Sequence, residues 1–147
     1  MQSLQQRQRW MSVLAHSQPA EVRSHWQALN LNPVYQRLRA PEIGLTQLLG
    51  RMGATGRRFV LGDMTVTRAV VQLANGGQGY SYITGRDKAH AELCALIDAL
   101  LQQPGSHELL QQQLIEPLAA LQQEQHRLRA RAIATSRVDF FTLVRGD

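Results

Sequence analysis

Apolar positions recur at helical spacing near both ends of the chain and alternate in its middle. Trp10, Val13 and Leu14 fall at i, i+3 and i+4 among glutamines and arginines, which predicts a helix over 2–17. Ser17-Gln18-Pro19 breaks it. Pro19 at a first helical position, with Glu21 two residues on, predicts a second helix to about Asn30 carrying Val22, Trp26 and Leu29 on one face. Asn30-Leu31-Asn32-Pro33 closes this pair, read as antiparallel over 2–30.

Residues 34–85 switch to alternation and turn signals. Tyr35-Gln36-Arg37-Leu38-Arg39 predicts a short strand, Pro41-Glu42 a turn, and Gly44 to Met52 a second strand. Arg58-Phe59-Val60-Leu61 is another short strand, followed by a turn signal at Gly62-Asp63. The β-branched run from Thr65 to Leu73 is the clearest strand. Asn75-Gly76-Gly77 tolerates positive φ and predicts a hairpin, with Gly79 to Thr84 returning. The expectation is an antiparallel meander of four or five strands.

Helical spacing resumes after Gly85. Ala89, Leu93, Leu96, Ile97, Leu100 and Leu101 form an apolar stripe that ends at Gln103-Pro104-Gly105. Ser106 is the expected N-cap of a short helix from Glu108 to Ile115. Pro117 opens a last helix with Leu118, Leu121, Leu128 and Ala132 on one side, so helices fill 86–134. Residues 136–147 alternate and are expected to form an extended tail, whose Phe140 and Phe141 need a surface to cover them. The whole reads as one α+β domain over 1–147.

Composition narrows the class. Hydrophobic residues make up 44% of the 147 and charged residues 18%, enough to build a core and too few charges for wholesale disorder. No apolar run approaches ~18 residues, so no spanning helix is expected. The polar start lacks a signal peptide's apolar stretch, and Cys94 is the only cysteine. The expectation is a soluble cytoplasmic protein without membrane contact.

Charge changes the picture more. The formal net charge is +5, and the pI is near 10.3. Lys88 is the only lysine among sixteen basic residues, the rest being arginine. Arginine's planar fork pairs bidentately with carboxylate and phosphate, so an anionic partner is indicated. Solvated surface arginine is the bland alternative.

Two segments concentrate chemistry. Arg51-Met52-Gly53-Ala54-Thr55-Gly56-Arg57-Arg58 sets three arginines around glycines, where backbone N–H groups and guanidinium forks can clamp an anion. It lacks the Gly-Lys-Ser/Thr ending of a nucleotide phosphate loop, and a basic hairpin is the simpler reading. Arg86-Asp87-Lys88-Ala89-His90 precedes Cys94 at a strand-to-helix junction. Asp87, His90 and Cys94 would share a helix face as a sparse metal set without a zinc signature, so no metal is expected. Asp87 as N-cap and Cys94 as a small buried hydrophobe account for the same residues. His90 has no nucleophile motif beside it. Tyr80 and Tyr82 share one side of their strand and could stack bases, but packing beneath a helix is the preferred reading.

These stretches also carry a resemblance. Residues 10–15 (Trp10-Met11-Ser12-Val13-Leu14-Ala15), Arg51-Met52-Gly53-Ala54-Thr55-Gly56, Gly62-Asp63-Met64-Thr65-Val66-Thr67-Arg68-Ala69, Gly79-Tyr80-Ser81-Tyr82, 85–92 and Ser136-Arg137-Val138-Asp139-Phe140-Phe141-Thr142 resemble, in order, the PhnG family, the G subunit of bacterial carbon–phosphorus lyase. The Gln-rich stretch 102–125 falls outside these blocks. The resemblance implies a core complex with H, I and J subunits. With the H, I and L proteins, such a subunit is needed to transfer the ribose triphosphate of ATP to a phosphonate, releasing adenine. ATP is then a co-substrate of the complex, and no cofactor is held by this chain alone. The resemblance carries over no catalytic residue. Combined with the residue reading, Arg51, Arg57, Arg58, Arg86, Asp87, Lys88 and His90 become candidates for contact with a partner or its polyanionic substrate. Phe140 and Phe141 become a partner-docking tail. An arginine-rich nucleic-acid-binding module is the competing class, although no nucleic acid is expected.

Overall fold

The computed structural model describes the backbone of residues 3–51 and 58–145 and the side chains of residues 3–46 and 62–135. Helices α1 (Leu4–His16) and α2 (Pro19–Ala28) lead into strands β1 (Tyr35–Arg51), β2 (Arg58–Leu73) and β3 (Gln78–Thr84). Helices α3 (Lys88–Leu101) and α4 (Pro104–Leu110) follow, then a π-helical turn (Gln111–Ile115) and α5 (Glu116–Arg145). The α+β class holds. Among the described residues no helix is long and apolar enough to cross a membrane.

Among the described residues the sheet has three antiparallel strands in the order β1-β2-β3, not four or five. Pro41 and Gly62, read as turns, lie inside continuous strands. The register slips between Arg39 and Glu42, around Pro41, and again between Leu48 and Leu49, beside the Leu48–Gly62 pair. Proline withholds a ladder donor and glycine packs no side chain, so both belong at bulges as readily as at chain reversals. The hairpin at 74–77 forms as expected. Gly76 takes φ +93°, and Asn75 Oδ1 accepts from the Gly77 N–H at 3.0 Å.

Small residues decide how closely α3 lies on this sheet. Ala91, Ala95 and Ala99 recur every fourth residue and are fully buried. Gly79 lies opposite, where a Cβ would sit 2.1 Å from the Ala95 carbonyl oxygen and 2.5 Å from the Ala99 nitrogen. Ser81 Oγ donates to the Ala91 carbonyl at 2.6 Å. Thr67, Ala69, Val71 and Leu73 of β2 and Ile83 of β3 complete the covered face. Trp10, Leu14, Val22, Ile97, Leu101, Leu110, Leu114, Ile115 and Leu118 extend the same cluster among the helices.

The opposite sheet face is open. Burial alternates along β3, leaving Tyr80 and Tyr82 46% and 48% exposed. They stand in register with Val70 and Arg68, away from α3, which corrects the expectation that a helix covers them. α1 touches this strand only at its edge, where the Arg7 guanidinium lies 4.4 Å from the Tyr80 ring centroid.

The C-terminal half departs from expectation twice. α4 starts at Pro104 with Gln103 at the N-cap, while Ser106 Oγ donates to the Leu100 carbonyl at 2.6 Å. The chain then widens into the π turn, where the Glu116 N–H bonds the Gln111 carbonyl five residues back. Pro117, which has no N–H to donate, follows at once. The extended tail is also corrected, because α5 continues as helix to Arg145. No glycine or proline interrupts residues 118–145, and continuing a helix costs less than starting another element. The local alternation at 136–145 is overridden by that continuity.

Candidate functional site

Three basic regions emerge. The first is the junction after β3. Gly85, with φ +106°, ends the strand, and its carbonyl accepts from Thr67 Oγ1 at 2.7 Å. Asp87 caps α3 by accepting from the His90 N–H at 3.0 Å, placing a carboxylate where the helix dipole favours it. Arg86 and Lys88 flank this cap and are exposed.

His90 turns inward and is 3% exposed. Its Nε2 lies 3.6 Å from the Cys94 sulfur. Burial lowers the His90 pKa, with Arg23 adding to the effect and Asp87 opposing it. Burial, with a smaller contribution from Asp87, pushes the Cys94 thiol up to about 12. A neutral imidazole beside a neutral thiol is core packing, neither an activated nucleophile nor a surface contact. The structure thus gathers Arg86, Asp87, Lys88 and His90 in one turn, buries His90, and leaves Arg86, Asp87 and Lys88 exposed.

The second region lies at the far end of the β1–β2 ribbon. Arg51 and Arg58 are register partners there; Arg57 lies outside the described residues. β3 pairs with β2 no further than Val66 opposite Thr84. Arg58 is eight residues beyond Val66, about 26 Å at the usual strand rise. The backbone positions of Arg51 and Arg58 therefore lie far along the ribbon from the end of β3 that leads to Arg86 and Lys88.

The third region was not anticipated: a cleft of about 740 Å³ between α1 and α5. Gln122 closes its base, donating to the Val13 carbonyl at 2.7 Å and to Ser17 Oγ at 2.8 Å. Arg9 and His16 line one wall, and His126, Arg127 and Arg129 the other. Its only sequence signal was basic side chains at helical spacing on two helices far apart in the chain.

The sequence also concealed a buried carboxylate. Asp98 is 1% exposed. It accepts from Arg7 Nη2 at 2.8 Å, Trp10 Nε1 at 2.8 Å and the Tyr80 N–H at 3.1 Å. This joins α1, α3 and the outer edge of β3. The bond to Asp98 raises the Arg7 pKa. On the opposite flank, Arg37 of β1 pairs bidentately with Glu92 of α3.

Comparison with known proteins matches this chain almost end to end. The model of the family described as phosphonate metabolism protein PhnG matches residues 5–146. A Rhizobium meliloti (strain 1021) protein named alpha-D-ribose 1-methylphosphonate 5-triphosphate synthase subunit PhnG is 39% identical over 142 residues. That alignment covers 97% of this chain and 90% of the relative.

Proposed function

Because this chain belongs to the PhnG family of phosphonate-metabolism proteins, we propose that it is the accessory subunit of a ribose 1-phosphonate 5-triphosphate synthase. In this reading the complex transfers the ribose triphosphate of ATP to a phosphonate such as methylphosphonate, and adenine leaves. The chain works with the H, I and L proteins and sits with the H, I and J subunits in the carbon–phosphorus lyase core. The observation that carries the reading is 39% identity over nearly all of both chains to a synthase subunit.

The geometry supports a role through surfaces. Arg86 and Lys88 stand exposed beside a capped helix start, and the ribbon sets Arg51 opposite Arg58 at its far end. These positions, with Arg57, supply guanidinium groups toward a partner or its polyanionic substrate. Phe140 and Phe141 lie on the distal part of α5, and that helical arm docks on a partner. The bond-making groups sit in the neighbouring subunits, and ATP enters as a co-substrate of the assembly.

Co-expression with the H, I and J subunits tests the reading. The chain should co-purify with them, and adenine release from ATP and methylphosphonate, with the L protein added, should require it. Arg57→Glu or Arg86→Glu should lower assembly or adenine release about tenfold, the scale of one lost charged contact. Full adenine release in the chain's absence would overturn the subunit role. Full activity of both variants would remove these arginines from it.

A further inference from the structure

We infer that the cleft between α1 and α5 is an oligophosphate site, one that takes the triphosphate end of a ribonucleotide or of its ribosyl product. The inference rests on the synthase-subunit reading for its ligand class, because the relative's product carries a 5-triphosphate. The site itself rests on geometry. Arg9 and His16 fall seven residues apart on α1, while Gln122, His126 and Arg129 fall at i, i+4 and i+7 on α5. These spacings keep each row on one face of its helix, and both rows line the cleft. No carboxylate lines the space between them.

Two of the three arginines are held by carboxylates outside the cleft. Arg9 is paired with Glu116 and Arg127 with Glu124. Both pairs are exposed, and such pairs exchange readily for a stronger anion. Among the described residues Arg129 has no carboxylate within ion-pair distance. Guanidinium groups match phosphate oxygens bidentately. The volume, about 740 Å³, falls within the usual range for small-molecule sites, about 300–1,000 Å³. The apolar residues of the lining are Val13 and Ala119, and no aromatic or long aliphatic side chain is there to anchor a peptide.

Titration calorimetry of the full chain with inorganic tripolyphosphate tests the assignment. Saturable binding is expected, weakened about tenfold or more in Arg127→Gln/Arg129→Gln. Arg131→Gln removes one charge, half the loss of the double variant, from exposed α5 surface outside the cleft and should stay within about twofold. Circular dichroism of each variant should match the unsubstituted chain. Absence of saturable binding, or equal weakening by Arg131→Gln, overturns the site. Equal affinity for monophosphate overturns its oligophosphate class, and displacement by a polyglutamate peptide at lower concentration shows a protein-docking cleft instead. Co-purification with the H, I and J subunits, run in parallel, separates the two readings. A chain that assembles without binding tripolyphosphate loses only the cleft, and one that binds without assembling loses only the subunit role.

Discussion

The α3-centred core and the two arms that leave it follow opposite rules. In the core, alanine meets glycine at backbone distance, and every buried described side-chain polar atom has a hydrogen-bond partner. In the arms, little is covered. Beyond Val66 and Gly44 the β1–β2 ribbon has no third strand among the described residues, and Leu45 is 70% exposed. Along α5, every described residue from Gln123 to Thr135 is exposed, including Leu128 and Ile133. Two-stranded ribbons are marginal in water, and an unpacked helix gains nothing from its apolar residues. The core is thus stabilised from within, whereas the arms leave their described surfaces largely open.

The sharpest way to break this contrast is to injure the core at its charged centre. Asp98→Ala leaves the Arg7 guanidinium, the Trp10 indole N–H and the Tyr80 N–H without their acceptor. It should lower unfolding free energy by about 3–5 kcal/mol, toward the lower end because Arg7 keeps partial access to water. Urea denaturation measures this, and a loss under about 1 kcal/mol would show that the network is dispensable.

A smaller effect comes from acid. The folded state holds His90 neutral by burial, whereas the unfolded chain takes up a proton below about pH 6.5. The unfolded state then binds more protons, so stability falls as pH drops through that range toward the depressed folded value. This one group contributes a slope of at most about 1.4 kcal/mol per pH unit. Denaturation midpoints measured from about pH 7.5 to about pH 5.5 should fall less steeply in His90→Gln than in the unsubstituted chain. Parallel curves would place the acid sensitivity elsewhere.

The smallest effect on stability, and the largest on assembly, should come from the arm. Deleting residues 137–147 should change core unfolding by less than about 0.5 kcal/mol while cutting recovery with the partner subunits about tenfold or more. Denaturation and pull-down of the same variant check both halves. Unchanged recovery would sink the docking role of Phe140 and Phe141.

Local patterns were readable where one element carries its own signal. The spacing of Trp10, Val13 and Leu14 gave α1, the stripe from Ala89 to Leu101 gave α3, and Asn75-Gly76-Gly77 gave the hairpin. Asp87 as a cap was equally local. What failed depended on distant context. Pro41 and Gly62 look alike in a turn and in a bulge until the pairing strand is known. The direction of Tyr80 and Tyr82 was set by which face α3 chose. Asp98 meets Arg7 and Trp10 from 91 and 88 residues away, and the α1–α5 cleft joins residues more than a hundred positions apart.

The bond from Tyr80 to Asp98 also governs how the sheet meets other molecules. β3 is a sheet margin, and bare margins invite foreign strands to pair along them. Here an outward N–H is already claimed by a buried carboxylate, with Arg7 stacked beside it. At the far margin Pro41 sits within β1 at a register slip and has no N–H to donate. Each margin of the sheet thus carries a feature that disfavours edge-on pairing with a second copy.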